Sequence, residues 1–311
     1  MAAMGLTSPL LLGVATPAAA ADNETLEELI VTGIRGGEAR SVTDSTVPID
    51  VLSSAEFANQ GDTDLSNLLR NVVPSYNVNS QPISDAATIV RPANLRGLAP
   101  DHTLVLVNGK RRHRAAVIYW LGNGVADGAQ GPDISAIPSS ALKQVEVLRD
   151  GAAAQYGSDA IAGVINFILN DADHGANVEA RYGGYYAGDG ATYAISGNVG
   201  LPLTSNGFFN FSFEYGESDA TDRSIQRDDA AALIAAGNTD VKDPAQVWGS
   251  PEIQDDLKTF INWGIDLSET LEVYGHANYV SKTAIGGFYF RNPNTRAAYM
   301  EIGRASCRER V

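Results

Sequence analysis

The densest run of side chains able to do chemistry is Lys110-Arg111-Arg112-His113-Arg114, four cationic side chains and an imidazole in five consecutive positions. Such a run can gather an anion through charge-assisted hydrogen bonds. It can equally meet carboxylates on a neighbouring wall of the same protein, and that plainer reading is preferred. Tyr119 and Trp120 follow it. Their rings either stack on a ligand or pack within an apolar loop. His102, His174 and His276 are scattered, without the spacing that brings imidazoles and carboxylates onto one metal ion. Asp150-Gly151 and Gly188-Asp189-Gly190 are turn chemistry. The sequence has no nucleophile elbow, phosphate loop or His-Glu-x-x-His pair, so neither an enzyme nor a bound cofactor or metal is expected. The single Cys307 rules out an internal disulfide framework.

Composition narrows the partners. Of 311 residues, 37 are Asp or Glu against 22 Lys or Arg, a net charge of −15 that works against gathering phosphates. Nucleic acid is therefore not an expected partner. Hydrophobic residues reach 44%, charged residues only 19%, and 31 glycines make the chain rich in turns. Beyond residue 21 no apolar run is long enough for a membrane-spanning helix, so any membrane crossing would have to be made by strands.

The two ends differ from the rest. Residues 1–21 carry no charge, hold an apolar stretch around Leu10 to Val14 and finish in Pro17-Ala18-Ala19-Ala20-Ala21 before Asp22. Small residues before a polar start are what a signal peptidase accepts, and export is expected. Residues 301–311, Glu301 to Val311, break the preceding pattern and resemble a translated sequencing adaptor, so the genuine reading is expected to stop near Met300.

Three zones lie between. Residues 22–46 are polar and acidic around one β-prone run, Glu28-Leu29-Ile30-Val31-Thr32-Gly33, which reads as a free strand awaiting a partner edge or as a strand paired within its own domain. Residues 47–170 read as a small α/β domain. Strands are expected over Pro48 to Leu52, Thr103 to Val107, around Val145 to Leu148 and over Ile161 to Leu169. Ser53 or Ser54 caps a first helix, and Leu65, Leu68, Leu69 and Val72 give a second its apolar face. Asn108-Gly109 is a strong hairpin signal.

Residues 171–300 switch to alternation with a period of two. Phe209, Phe211, Phe213 and Tyr215 oppose Asn210, Ser212 and Glu214, while Leu257, Ile261, Trp263 and Ile265 oppose Lys258, Phe260, Asn262 and Gly264. The same split recurs around Val178, Ile195 and Val273. Five strands of about ten residues, each with one polar face, fit the start of an antiparallel transmembrane β-barrel with a wet interior. Leu203-Thr204-Ser205-Asn206-Gly207 and Ser268-Glu269-Thr270 are short connections, whereas Glu217 to Asp256 is a long polar excursion, the asymmetry expected of such a barrel.

At these residues the sequence resembles the TonB-dependent outer-membrane receptors. Glu28 to Gly33 looks like a TonB box. Leu68 to Pro74, Leu95-Arg96-Gly97-Leu98 and Thr103 to Arg111 look like successive plug signatures, followed by Val145 to Gly151 and Ala154 to Asn166. The resemblance implies an α/β plug inside a barrel of on the order of 22 strands, of which this chain holds the first five. It implies uptake of a scarce ligand, a ferric siderophore first and cobalamin or an oligosaccharide next. The energy would come from periplasmic TonB with ExbB and ExbD, and the site would be the outer membrane of a Gram-negative cell. By the same resemblance Arg96 and Arg149 lock the plug to glutamates on strands beyond this sequence. An outer-membrane surface hydrolase and a non-energised porin are the competing classes.

Overall fold

A computed structural model describes residues 29–30, 40–41, 48–60, 62, 64–78, 90–119, 127–286 and 290–295. Near the N-terminus β1 (Leu29–Ile30) pairs antiparallel with β2 (Arg40–Ser41), Leu29 opposite Ser41 and Ile30 opposite Arg40. Part of the β-prone run thus has a short partner inside the chain and is not wholly free.

The α/β part is built on β3 (Ile49–Ser53), α1 (Ser54–Ala58), α2 (Leu65–Val72), β4 (Tyr76–Val78), β5 (Ala93–Leu95), β6 (Thr103–Val107), β7 (Lys110–Arg111), β8 (Leu142–Leu148), α3 (Ala153–Tyr156) and β9 (Gly163–Leu169). Its main sheet has the order β3-β8-β9-β6-β7, antiparallel except for the parallel β6–β9 pair, and β4 pairs with β5 separately. Ser53 caps α1 through a capping box with Glu56, leaving two orphan backbone donors satisfied. Asp64 caps α2 by accepting from the Ser66 N–H at 2.8 Å. Leu65, Leu68 and Leu69 of α2 are buried with Val105, Val145, Ile165 and Phe167 in one core. Each such side chain removed from water contributes on the order of 1.5–3 kcal/mol.

Asn108 and Gly109 both take positive φ, 47° and 72°, the turn that matches the twist of a hairpin and that Asn-Gly tolerates best. Gly163 opens β9 at φ 146°, and a Cβ there would sit 2.3 Å from the Leu148 carbonyl oxygen, so only glycine lets β8 and β9 close at this point.

The second part is a meander of β10 (Ala176–Gly183), β11 (Thr192–Thr204), β12 (Gly207–Ser218), β13 (Glu252–Ser268) and β14 (Leu271–Ile285), each antiparallel to the next. Four of the five strands run past the expected ten residues, β13 reaching 17. The polar stretches 216–218 and 252–256 continue the ladder although they lack apolar alternation. The long excursion is correspondingly shorter than expected and contains an unforeseen helix, α4 (Asp228–Ala235). It is tied down on both sides. Arg223 pairs with Asp189 in the β10–β11 connection, the Phe290 N–H donates to Gln246 Oε1 at 2.9 Å, and Asn292 donates to Asp229 at 3.4 Å.

One face of this sheet packs on the α/β part and the other is open. Val178, Tyr182, Tyr193, Ile195, Leu201 and Leu271 are exposed on the outer side, with the Tyr182 and Tyr193 rings 4.9 Å apart. Asn210, Ser212, Glu214, Lys258 and Asn262 are buried on the inner side. The polar set faces inward and the apolar set outward, the reverse of a soluble sandwich.

Candidate functional site

The site is the seam between the α/β part and the inner face of the strands. Ser139 and Ser140 stand in a single 3-10 turn leading into β8. The Ser139 N–H and hydroxyl both donate to Glu214 Oε2 at 3.3 Å, and the Ser140 hydroxyl donates to the Phe213 carbonyl at 3.0 Å. Below them Asn210 donates to the Ala172 carbonyl at 3.3 Å and Asn262 to that of Asn170 at 2.9 Å. Asn108, at the hairpin turn, donates to Asn262 Oδ1 at 3.3 Å. On β10, Arg181 donates to the carbonyls of Gln60 and Asp62. This row of side-chain amides, hydroxyls and the Arg181 guanidinium is held largely against backbone carbonyls.

Its charges form a chain. Lys258 Nζ lies 2.6 Å from Glu214 Oε1, with both side chains only 6% exposed. Asp256 bridges Lys258 at 3.4 Å and Lys282 at 3.3 Å. Removing one member of such a buried pair would leave a bare charge at a cost of about 3–5 kcal/mol. Across the gap Asp64 pairs with Arg91. Burial alone would raise the Asp64 carboxyl pKa, but Arg91, Lys258, Lys282 and the Ser66 N–H outweigh it and hold that pKa below the ordinary value. These groups line a cavity of about 380 Å³ that reaches the end of the sheet carrying the long connections.

The basic cluster divides by the two-residue period of β7. Lys110 lies over the Tyr274 ring at 5.7 Å and Arg112 donates to Asn278 at 3.0 Å, both on β14. Arg111 points the other way and pairs with Asp159 of the α/β part, while Arg114 is exposed. Among the described residues the cluster's contacts with the strand wall are to a phenol and an amide of β14, and the carboxylate contact read from the sequence is not among them. Burial lowers the Arg112 pKa, and burial together with Arg112 lowers that of His113.

Tyr119 is enclosed, its hydroxyl donating to the Val90 carbonyl and its N–H to that of Ala129. Its ring packs inside the α/β part and offers no face to a ligand. Trp120 lies outside the described residues, as do Glu28, Val31, Thr32 and Gly33. Arg149 Nε sits 2.8 Å from Asp50 Oδ2, and Arg96 Nη1 is 3.6 Å from Asp150 Oδ1. Both arginines are thus paired within the α/β part.

Glu214, Lys258, Ser139 and Arg181 were not singled out by the sequence. The pair Glu214–Lys258 was available only through the register of β12 on β13, which sets these two residues opposite each other across 44 positions of chain.

Comparison with known proteins agrees with this architecture. The family model "TonB-dependent Receptor Plug Domain" matches residues 41–164. The ferric enterobactin receptor of Pseudomonas aeruginosa is 26% identical over 249 residues, 75% of this chain and 31% of that protein. The probable TonB-dependent siderophore receptor PirA of Acinetobacter baumannii is 30% identical over 185 residues, 58% of this chain and 24% of that protein. The vitamin B12 transporter BtuB of Vibrio vulnificus is 30% identical over 191 residues, 61% of this chain and 28% of that protein. The crystal structure of the Acinetobacter baumannii PirA shares the fold at a TM-score of 0.57 and 20% identity, over 84% of this chain and 35% of that one. The chain spans under a third of the length of the curated relatives it matches. The sheet of the α/β part falls largely within residues 41–164, the stretch that matches the plug model, and with an antiparallel meander packed on it, polar face inward, the chain is similar to part of the TonB-dependent receptors.

Proposed function

We propose that this chain supplies the plug and adjoining strands of an outer-membrane receptor that takes up a scarce ligand, a ferric siderophore in the first instance, by TonB-driven displacement of the plug. The observation that carries this reading is the seam. A plug held to the strands by single hydrogen bonds can be released stepwise, because water replaces each lost partner. An apolar joint of the same size would resist that exchange. The similarity to siderophore receptors favours an iron chelate, and the similarity to BtuB keeps cobalamin as the second reading.

The strand-addition step belongs to Glu28 to Gly33. A short extended segment can add to the sheet edge of periplasmic TonB through main-chain hydrogen bonds. The two residue pairs of β1 with β2 are the whole of the described internal competition for Leu29 and Ile30.

The test is uptake of radiolabelled ferric siderophores and of labelled cobalamin by iron-starved cells making the complete receptor, with and without TonB. TonB-dependent accumulation of an iron chelate supports the first reading. Accumulation of cobalamin alone replaces it with the second, and accumulation that is indifferent to TonB overturns both.

A further inference from the structure

The inner face of β13 carries Lys258, Phe260, Asn262 and Gly264 in alternation, and the facing positions of β12 are Glu214, Ser212, Asn210 and Phe208. Of the two large apolar side chains in that set, Phe208 is only half-buried and lies against Gly264, which leaves Phe260 as the enclosed one. It is also 1% exposed, among the most completely buried residues of the described chain. Its ring does not lie in the wet seam. It joins the core of the plug, in one buried cluster with Ala141, Leu142, Phe167 and Leu169, and its centroid is 5.9 Å from the His276 ring on β14.

The two kinds of seam contact respond differently to separation. Amide and carboxylate partners pass to water, whereas an aromatic ring drawn from a packed core into an aqueous gap loses its burial with nothing in exchange. Position also matters. Lys258 and Asn262, two residues to either side, hold the ring in register through Glu214 and through Asn108 and Asn170.

We propose that Phe260 is a positioning residue, an apolar peg from the strand wall into the plug core that keeps the plug seated at rest. This inference rests on the reading of a displaceable plug given above. It assigns to one side chain a large share of the resistance to displacement.

The experiment is leak through the complete receptor in cells lacking TonB, read as entry of a bulky antibiotic that the closed outer membrane excludes, and as current in planar bilayers. Because TonB and the transported ligand are both absent, the outcome is independent of which ligand the receptor carries. Phe260→Ala is expected to raise leak on the order of tenfold, and Phe260→Leu, which keeps an apolar side chain, to restore closure. Heat-modifiable gel mobility confirms that each variant is a folded barrel. Should Phe260→Ala fail to insert, Phe260→Cys in a receptor without other accessible thiols gives the second reading. That thiol is expected to resist a membrane-impermeant maleimide until mild urea displaces the plug. A folded Phe260→Ala receptor with unchanged leak, or a Phe260→Cys receptor whose introduced thiol is labelled at rest, would overturn the proposal.

Discussion

Asp64 does two jobs with one carboxylate: it caps α2 and it pairs with Arg91 at the edge of the seam cavity. Burial works against its charge, and three cations with one backbone N–H more than offset it, so its folded pKa lies below the ordinary 3.8. A carboxyl group with a depressed folded pKa adds stability that is complete above the unfolded value and is lost as pH falls through the folded one. Asp64→Asn keeps a capping oxygen and removes the charge. The variant is expected to unfold at lower denaturant than the parent at pH 7, with the gap closing below about pH 4. Denaturant midpoints of both proteins in detergent across that range check it, and a gap that persists unchanged in acid would refute the assignment.

Among the elements, β1 is the one whose proposed work is to leave its place. Ile30→Pro removes a backbone donor and fixes φ, which a strand joining another sheet cannot accommodate. Uptake by the complete receptor is expected to fall to the level of a TonB-less strain while the amount in the outer membrane stays the same. Normal uptake would exclude strand addition at this position.

Legibility in the sequence followed local chemistry. The strand β6, the Asn108-Gly109 turn, the capped start of α1 and the apolar stripe of α2 all announce themselves within a few residues. The short β4, β5 and α4 did not, because their formation depends on distant surfaces rather than on periodicity. Strand length was underestimated for a related reason: residues 252–256 and 216–218 owe their pairing to the neighbouring strand and not to their own alternation. The seam was the least legible part. Glu214, Lys258 and Phe260 looked like ordinary members of an inward face until the register set the first two opposite each other and the core took in the third.

At the scale of the whole molecule, the two faces of the meander specify where it can live. An outer face with Val178, Ile195 and Leu201 exposed, closed on the inside by a polar seam, is consistent with lipid outside and water within. Ile195→Arg on that outer face is expected to cost insertion of the complete receptor about 2–4 kcal/mol if the site lies near the bilayer midplane. Ser196→Arg on the inner side is the control. The fraction of heat-modifiable barrel in purified outer membranes reads both, and equal insertion of the two variants would contradict a lipid-facing surface.

The ties around α4 carry a further consequence. Arg223 fastens this excursion to Asp189 on one side, and Gln246 and Asp229 fasten it to Phe290 and Asn292 on the other. Two hairpin connections and the segment after β14, bound to one another in this way, form a standing rim rather than independent flaps. A visitor arriving from outside would meet a shape already made, and less of its affinity would be consumed in ordering the host.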